Sequence, residues 1–138
     1  MMDRLRGFGP GWFVNTAIWV AALLAPIKET MIAVGFLIAV DTVVGIWAAV
    51  KRGEPISSGK LGRTISKSIG YQTALIVAFV SEKYLIPELP LVRVMSGFIA
   101  SVEFLSIAEK LSTITGIPIA DVVKRMFDKK EPPPPPKA

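Results

Sequence analysis

Residues 31–50 hold a single charge, Asp41, in twenty positions. At 1.5 Å per residue the run measures about 30 Å, one bilayer hydrocarbon core, and predicts a transmembrane helix. Residues 12–27 are uncharged and apolar apart from Asn15 and Thr16. They predict an earlier span, extendable toward Phe8 with Gly9, Pro10 and Gly11 at the headgroups. Arg4 and Arg6 ahead of the small residues Ala21, Ala22 and Ala25 also fit a signal peptide. The next apolar run follows within four residues, however, so a helical hairpin is the preferred reading. Residues 68–81 form a third apolar run, long enough to cross only if the helix continues through Glu82 and Lys83 to Ile86. Residues 91–108 carry Arg93 at the start and Glu103 inside, and read as a fourth span or an interfacial helix. Pro87 and Pro90 mark the turn between these last two segments.

Residues 51–67 contain Gly53, Pro55, Gly59 and Gly62 as breakers and five basic side chains against Glu54, which predicts a polar cytoplasmic loop. Beyond the fourth span, Thr115-Gly116-Ile117-Pro118 reads as a turn. It leads to a short amphipathic helix with Ile119, Val122, Val123, Met126 and Phe127 on one face, and Asp121, Lys124, Arg125 and Asp128 on the other. Two placements stay open for this helix: on the inner leaflet, or packed on the bundle's own loops. Residues 132–136 are polyproline, an extended and solvated spacer. The chain therefore divides into a membrane domain (1–118), a basic amphipathic helix (119–131) and a proline-rich disordered tail (132–138). The expected fold class is an all-α membrane protein, a small bundle of about four transmembrane helices with a short C-terminal helix.

Composition agrees with a membrane chain. Half of the 138 residues are apolar and the mean hydropathy is +0.52, too high for a soluble domain of this length. With no Cys and no His, disulfides, thiolate metal sites and imidazole bases are excluded, and no metal or cofactor is expected. The net charge of +5 would suggest nucleic acid in a soluble protein. Here the basic residues flank apolar runs, so anionic lipid is the expected partner and nucleic acid is not. Lys51, Arg52, Lys60, Arg63, Lys67, Lys124 and Arg125 are the lipid-headgroup candidates. Four alternating spans place both termini and the 51–67 loop in the cytoplasm. On that topology only Lys28, Lys83 and Arg93 of the sixteen basic residues fall outside.

Asp41 is the residue that demands an explanation, since an isolated carboxylate near mid-bilayer costs roughly 2.5 to 3.5 kcal/mol. It must be protonated, paired or in contact with water. Asp41, Gly45 and Ala49 recur every four residues, which puts the carboxylate on a stripe of small residues suited to close helix contact. Similar stripes occur at Ala17, Ala21 and Ala25, and at Ser66, Gly70, Ala74 and Ala78. Glu103 is a second intramembrane acid; if it meets Asp41, low dielectric favours a shared proton. Asp41, Gly45, Ala49 and Glu103 are thus the helix-interface or lumen candidates. Ser57, Ser58 and Lys60 lack an oxyanion-hole context, and residues 59–63 lack P-loop spacing, so no catalytic site is expected.

Asp41-Thr42-Val43-Val44-Gly45, Ala48-Ala49-Val50-Lys51, Ser57-Ser58, Gly62-Arg63-Thr64-Ile65 and Lys67 together resemble a bacteriophage holin family that includes toxin-secretion holins. A second block is similar to the same family: Glu103-Phe104-Leu105-Ser106-Ile107-Ala108-Glu109, then Gly116-Ile117-Pro118-Ile119. Val102 and Lys110 depart from it, standing where the family pattern has Asn. The resemblance implies a nonenzymatic protein that accumulates in the host inner membrane, associates with itself and opens lesions through which an endolysin or toxin passes. Two other classes remain: a membrane-anchored structural or adaptor component of a phage or secretion assembly, and a small ion or proton transporter subunit relaying through Asp41.

Overall fold

Proline and glycine set the helix boundaries. In the computed structural model, which describes residues 10–128, the chain enters α1 (Pro10–Leu24) at a proline, a residue preorganised for the first helical position. Pro26 has no N–H to donate and its ring crowds the carbonyl one turn back. The α-helical ladder therefore gives way to a 3-10 turn at Ala25–Ile27 before resuming as α2 (Lys28–Lys51). Gly53, with a left-handed φ of 71°, and Pro55 end that helix. α3 (Ser58–Tyr84) follows an extended Ser57, α4 (Leu91–Thr115) follows Pro90, and α5 (Ile119–Phe127) follows Pro118. Gly116, φ 72°, closes α4 and donates its N–H to the Ser112 carbonyl at 2.9 Å. All regular elements among the described residues are helical.

Helices α2, α3 and α4 form a bundle in which α4 is central, packing on α2 most extensively and also on α3 and α5. Val34 and Ile38 of α2, Leu75 of α3 and Ile99 of α4 make its apolar core, flanked by Met31, Tyr71 and Met95. Side chains also hold the helix ends. Glu82 of α3 accepts the Val92 N–H at 2.8 Å, satisfying one orphan donor of α4. At the opposite end Lys51 Nζ donates to the Ile114 carbonyl. α5 docks on α4 through Ala120 and Val123 against Ala108, and Ser112 Oγ accepts the Ala120 N–H at 2.8 Å.

Outside this core the bundle is inverted relative to a soluble one. Phe36 of α2, Ile69 of α3 and Phe98 of α4 are each more than 60% exposed, while Asp41 and Glu103 are 4% and 1% exposed. An apolar exterior around buried charges is the arrangement a lipid solvent selects. By length and composition two helical runs suffice to cross a membrane: Gly11–Lys51, mean hydropathy 2.1, and Leu91–Thr115, mean hydropathy 1.6. The apolar stretch of α3 is bounded by Lys67 on one side and by Glu82 and Lys83 on the other.

Three expectations are corrected. The hairpin between the first two apolar runs is absent: Gly11–Lys51 is one helical run interrupted only by the 3-10 turn, and α1 does not pack along α2. Residues 11–23 are all exposed, so α1 is not buried against any of the described residues. The 51–67 loop shrinks to residues 52–57, because α3 starts at Ser58 and runs through Gly59 and Gly62. A mid-helix glycine costs only about 1 kcal/mol, which tertiary anchoring of a long helix offsets. Helix α4 continues past Ala108 to Thr115, bringing Lys110 into the bundle. The C-terminal helix lies on α4 rather than on loops, yet Val122, Met126 and Phe127 stay exposed. Arg4, Arg6, Lys129, Lys130, Lys137 and the proline tail lie outside the described residues.

Candidate functional site

One helical turn from the apolar core toward the basic end of the bundle, four charged side chains meet. Asp41 lies one turn beyond Ile38 on α2, Glu103 one turn beyond Ile99 on α4, and Lys67 one turn before Tyr71 on α3. Lys67 Nζ donates to Asp41 Oδ2 at 2.9 Å and to Glu103 Oε2 at 2.7 Å, bridging the two acids. Lys110, two turns after Glu103 on α4, donates to Asp41 Oδ1 at 2.5 Å and to the Asp41 carbonyl at 3.1 Å. Tyr71 Oη donates to Glu103 Oε1 at 3.0 Å. Two carboxylates and two ammoniums cancel, and both oxygens of each carboxylate have a donor.

This layer revises the reading of Asp41. The carboxylate is paired, and Lys67 stands between Asp41 and Glu103, so each acid is neutralised by a lysine and no shared proton is needed. Lys67, expected at the headgroups, has its ammonium pointing into the bundle at two acids. Sequence reasoning also missed Lys110 as a partner. The available signal was parity, since two buried acids call for two cations, and Lys110 shares the Glu103 face of α4.

Gly45 takes its place in the same geometry. A Cβ there would lie 3.3 Å from Lys110 Nζ and 3.5 Å from Lys110 Cε, so the missing side chain leaves room for Lys110 to cross α2 and reach Asp41. Ala49 is buried. The stripe of Asp41, Gly45 and Ala49 thus carries contacts within one chain. Cross-helix polar contacts continue along α3: Thr42 Oγ1 donates to the Ile38 carbonyl and lies 3.4 Å from Thr64 Oγ1, and Gln72 Nε2 donates to the Met31 carbonyl at 3.0 Å.

The remaining basic candidates gather where α2 ends, α3 begins and α4 ends. Lys51 is occupied by the Ile114 carbonyl. Arg52 and Lys60 flank Glu54 at 2.8 and 3.2 Å, and those hydrogen bonds, Arg52's foremost, hold the Glu54 carboxyl down at about 2. Lys124 pairs with Glu109 at 2.8 Å on the surface. Arg63 and Arg125 make no hydrogen bond or ion pair among the described residues. No group of three metal-ligating side chains occurs among the described residues.

Comparison with known proteins gives one result. A family model described as the bacteriophage holin family matches residues 18–131, which include α2 to α5, the ionic layer and the second part of α1 from Ile18 on. No curated protein and no solved structure matches.

Proposed function

The chain belongs to the bacteriophage holin family, and from that premise we propose that it forms lesions in the bacterial inner membrane through which an endolysin or toxin passes. The observation that carries the reading beyond membership is the neutral ionic layer inside an apolar bundle. With Asp41, Lys67, Glu103 and Lys110 satisfied by one another, single chains accumulate in lipid with this charge paired rather than bare. When copies associate and the bundle loosens, the same four side chains become a hydrophilic lining for a lumen. Self-association and anionic lipid are the partners this requires; a catalytic site is not. The test is expression in bacteria holding a cytoplasmic reporter enzyme. Enzyme release is expected; leakage of ions alone would support the transporter reading, and neither would support an adaptor.

The topology we propose has four crossings with both termini and the 52–57 connection in the cytoplasm, which requires the bilayer to fold α1 back at Pro26, away from the continuous run that the single chain adopts. The Gly11–Lys51 run of 41 residues measures about 60 Å, twice one hydrocarbon core, so it is too long for one straight crossing, and the 3-10 turn at Pro26 is the weak point at which lipid would bend it. Basic residues crowd the end bearing residues 51–63, while Lys28, Lys83 and Arg93 are balanced at the other by Glu29, Glu82 and Glu88. Because the chain has no cysteine, single-cysteine variants give a clean readout. Lys28→Cys and Glu88→Cys are expected to react with an impermeant maleimide added outside. Gly11→Cys and Ser57→Cys are expected to react only after permeabilisation. External labelling of Gly11→Cys would reduce the crossings to three.

A further inference from the structure

Beside the ionic layer, between α2 and α3, a cavity of about 330 Å³ opens at the basic end of the bundle. Its basic lining is Arg52, Lys60, Arg63, Lys67 and Lys110, and Asp41 is its one carboxylate. Even when Glu54 and Glu103, which pair with three of those cations, are counted in, two positive charges are left over. Arg63 has no partner among the described residues. The rest of the wall is apolar, with Ile46 of α2, Ile56 of the connection and Leu61 of α3.

We propose that this cavity is a binding site for one anionic phospholipid, with the phosphate on Arg63 and Lys60 and an acyl chain against Ile46, Ile56 and Leu61. A guanidinium with free donors matches phosphate oxygens two at a time, which a lysine does not. The cavity combines that fork with an apolar wall, so it takes an amphiphile in preference to a free anion, and it opens at the end where basic residues place the inner leaflet. A lipid seated there bridges α2 and α3, the less extensively packed pair of the bundle. The inference rests on the membrane placement proposed above and specifies which lipid chemistry the protein holds, and where.

The test uses the full chain in phosphatidylcholine nanodiscs titrated with phosphatidylglycerol and read by native mass spectrometry. One saturable phosphatidylglycerol adduct is expected. Arg63→Gln should weaken it at least tenfold and Arg63→Lys less, whereas Arg93→Gln, the same charge loss at the opposite end, should leave it intact. Circular dichroism confirms that the variants keep their helices. Indifference of the adduct to Arg63→Gln in a folded protein overturns the site. Displacement of the adduct by millimolar inorganic phosphate reassigns the cavity to a free anion and overturns the lipid. Failure of the unaltered chain to resist carbonate extraction from membranes would instead overturn the membrane placement, and the site with it.

Discussion

Lys67→Met is expected to destabilise the bundle by roughly 3 kcal/mol, the scale of breaking a buried pair from one side. Among the described residues the ammonium is the sole cation on Glu103, which is 1% exposed and would keep only the Tyr71 hydroxyl. Asp41 suffers less because Lys110 remains. The measurement is an SDS titration in mixed micelles followed by tryptophan fluorescence. Adding Glu103→Gln to Lys67→Met removes the stranded charge and leaves an amide that still accepts from Tyr71. The double variant should therefore regain most of the lost stability, and the cycle should return a coupling of 1 kcal/mol or more. A double-variant loss equal to the sum of the Lys67→Met and Glu103→Gln losses would mean that the two side chains act independently despite their 2.7 Å contact.

Why this layer escaped a reading of the sequence follows from how its residues are spaced. Hydropathy marks Asp41 and Glu103 because each interrupts an apolar run, and a four-residue period places Gly45 and Ala49 on the Asp41 face. Those signals are local. The contacts that satisfy the acids join residues 26, 36 and 69 positions apart, and periodicity gives a face without naming what meets it. Glycines at 59 and 62 look like breakers and make Lys67 read as the end of a loop. Inside a helix anchored by Lys67, Tyr71 and Leu75 their cost is small, so the helix starts ten residues earlier than its apolar stretch.

Other features were legible for equally specific reasons. Prolines at 87, 90 and 118 and the glycine at 116 leave little freedom, and the boundaries of α4 and α5 fall beside them. The amphipathic pattern of α5 gave its existence. It did not show that the apolar residues split between two partners, with Ala120 and Val123 on α4 while Val122, Met126 and Phe127 face outward. For α1 the sequence suggested a hairpin, since two apolar runs with a short separation normally pack. Pro26 changes the helix type without reversing the chain, and no residue from 11 to 23 finds a partner surface that buries it.

Asp41→Asn is expected to be costly, even though it keeps volume and hydrogen-bonding capacity. The carboxylate accepts from Lys67 on one oxygen and from Lys110 on the other. An amide can accept from only one of them and turns N–H donors toward the second ammonium. Lys67 retains Glu103, but Lys110 loses its only carboxylate among the described residues. A loss of roughly 2 to 3 kcal/mol follows from the price of an unpaired charge at that depth, with Asp41→Leu at least as damaging. Adding Lys110→Met to Asp41→Asn removes the stranded ammonium and should restore most of the bundle's stability. The double variant then separates two roles that the single one confounds. If the charges of this layer line the opened lesion, the double variant should insert and fold at normal levels yet release the reporter enzyme late or not at all, because two of the four lining charges are gone. Normal release timing by a stable double variant would mean that Asp41 acts only by holding α2 to α4, and that the lumen is wetted by other side chains.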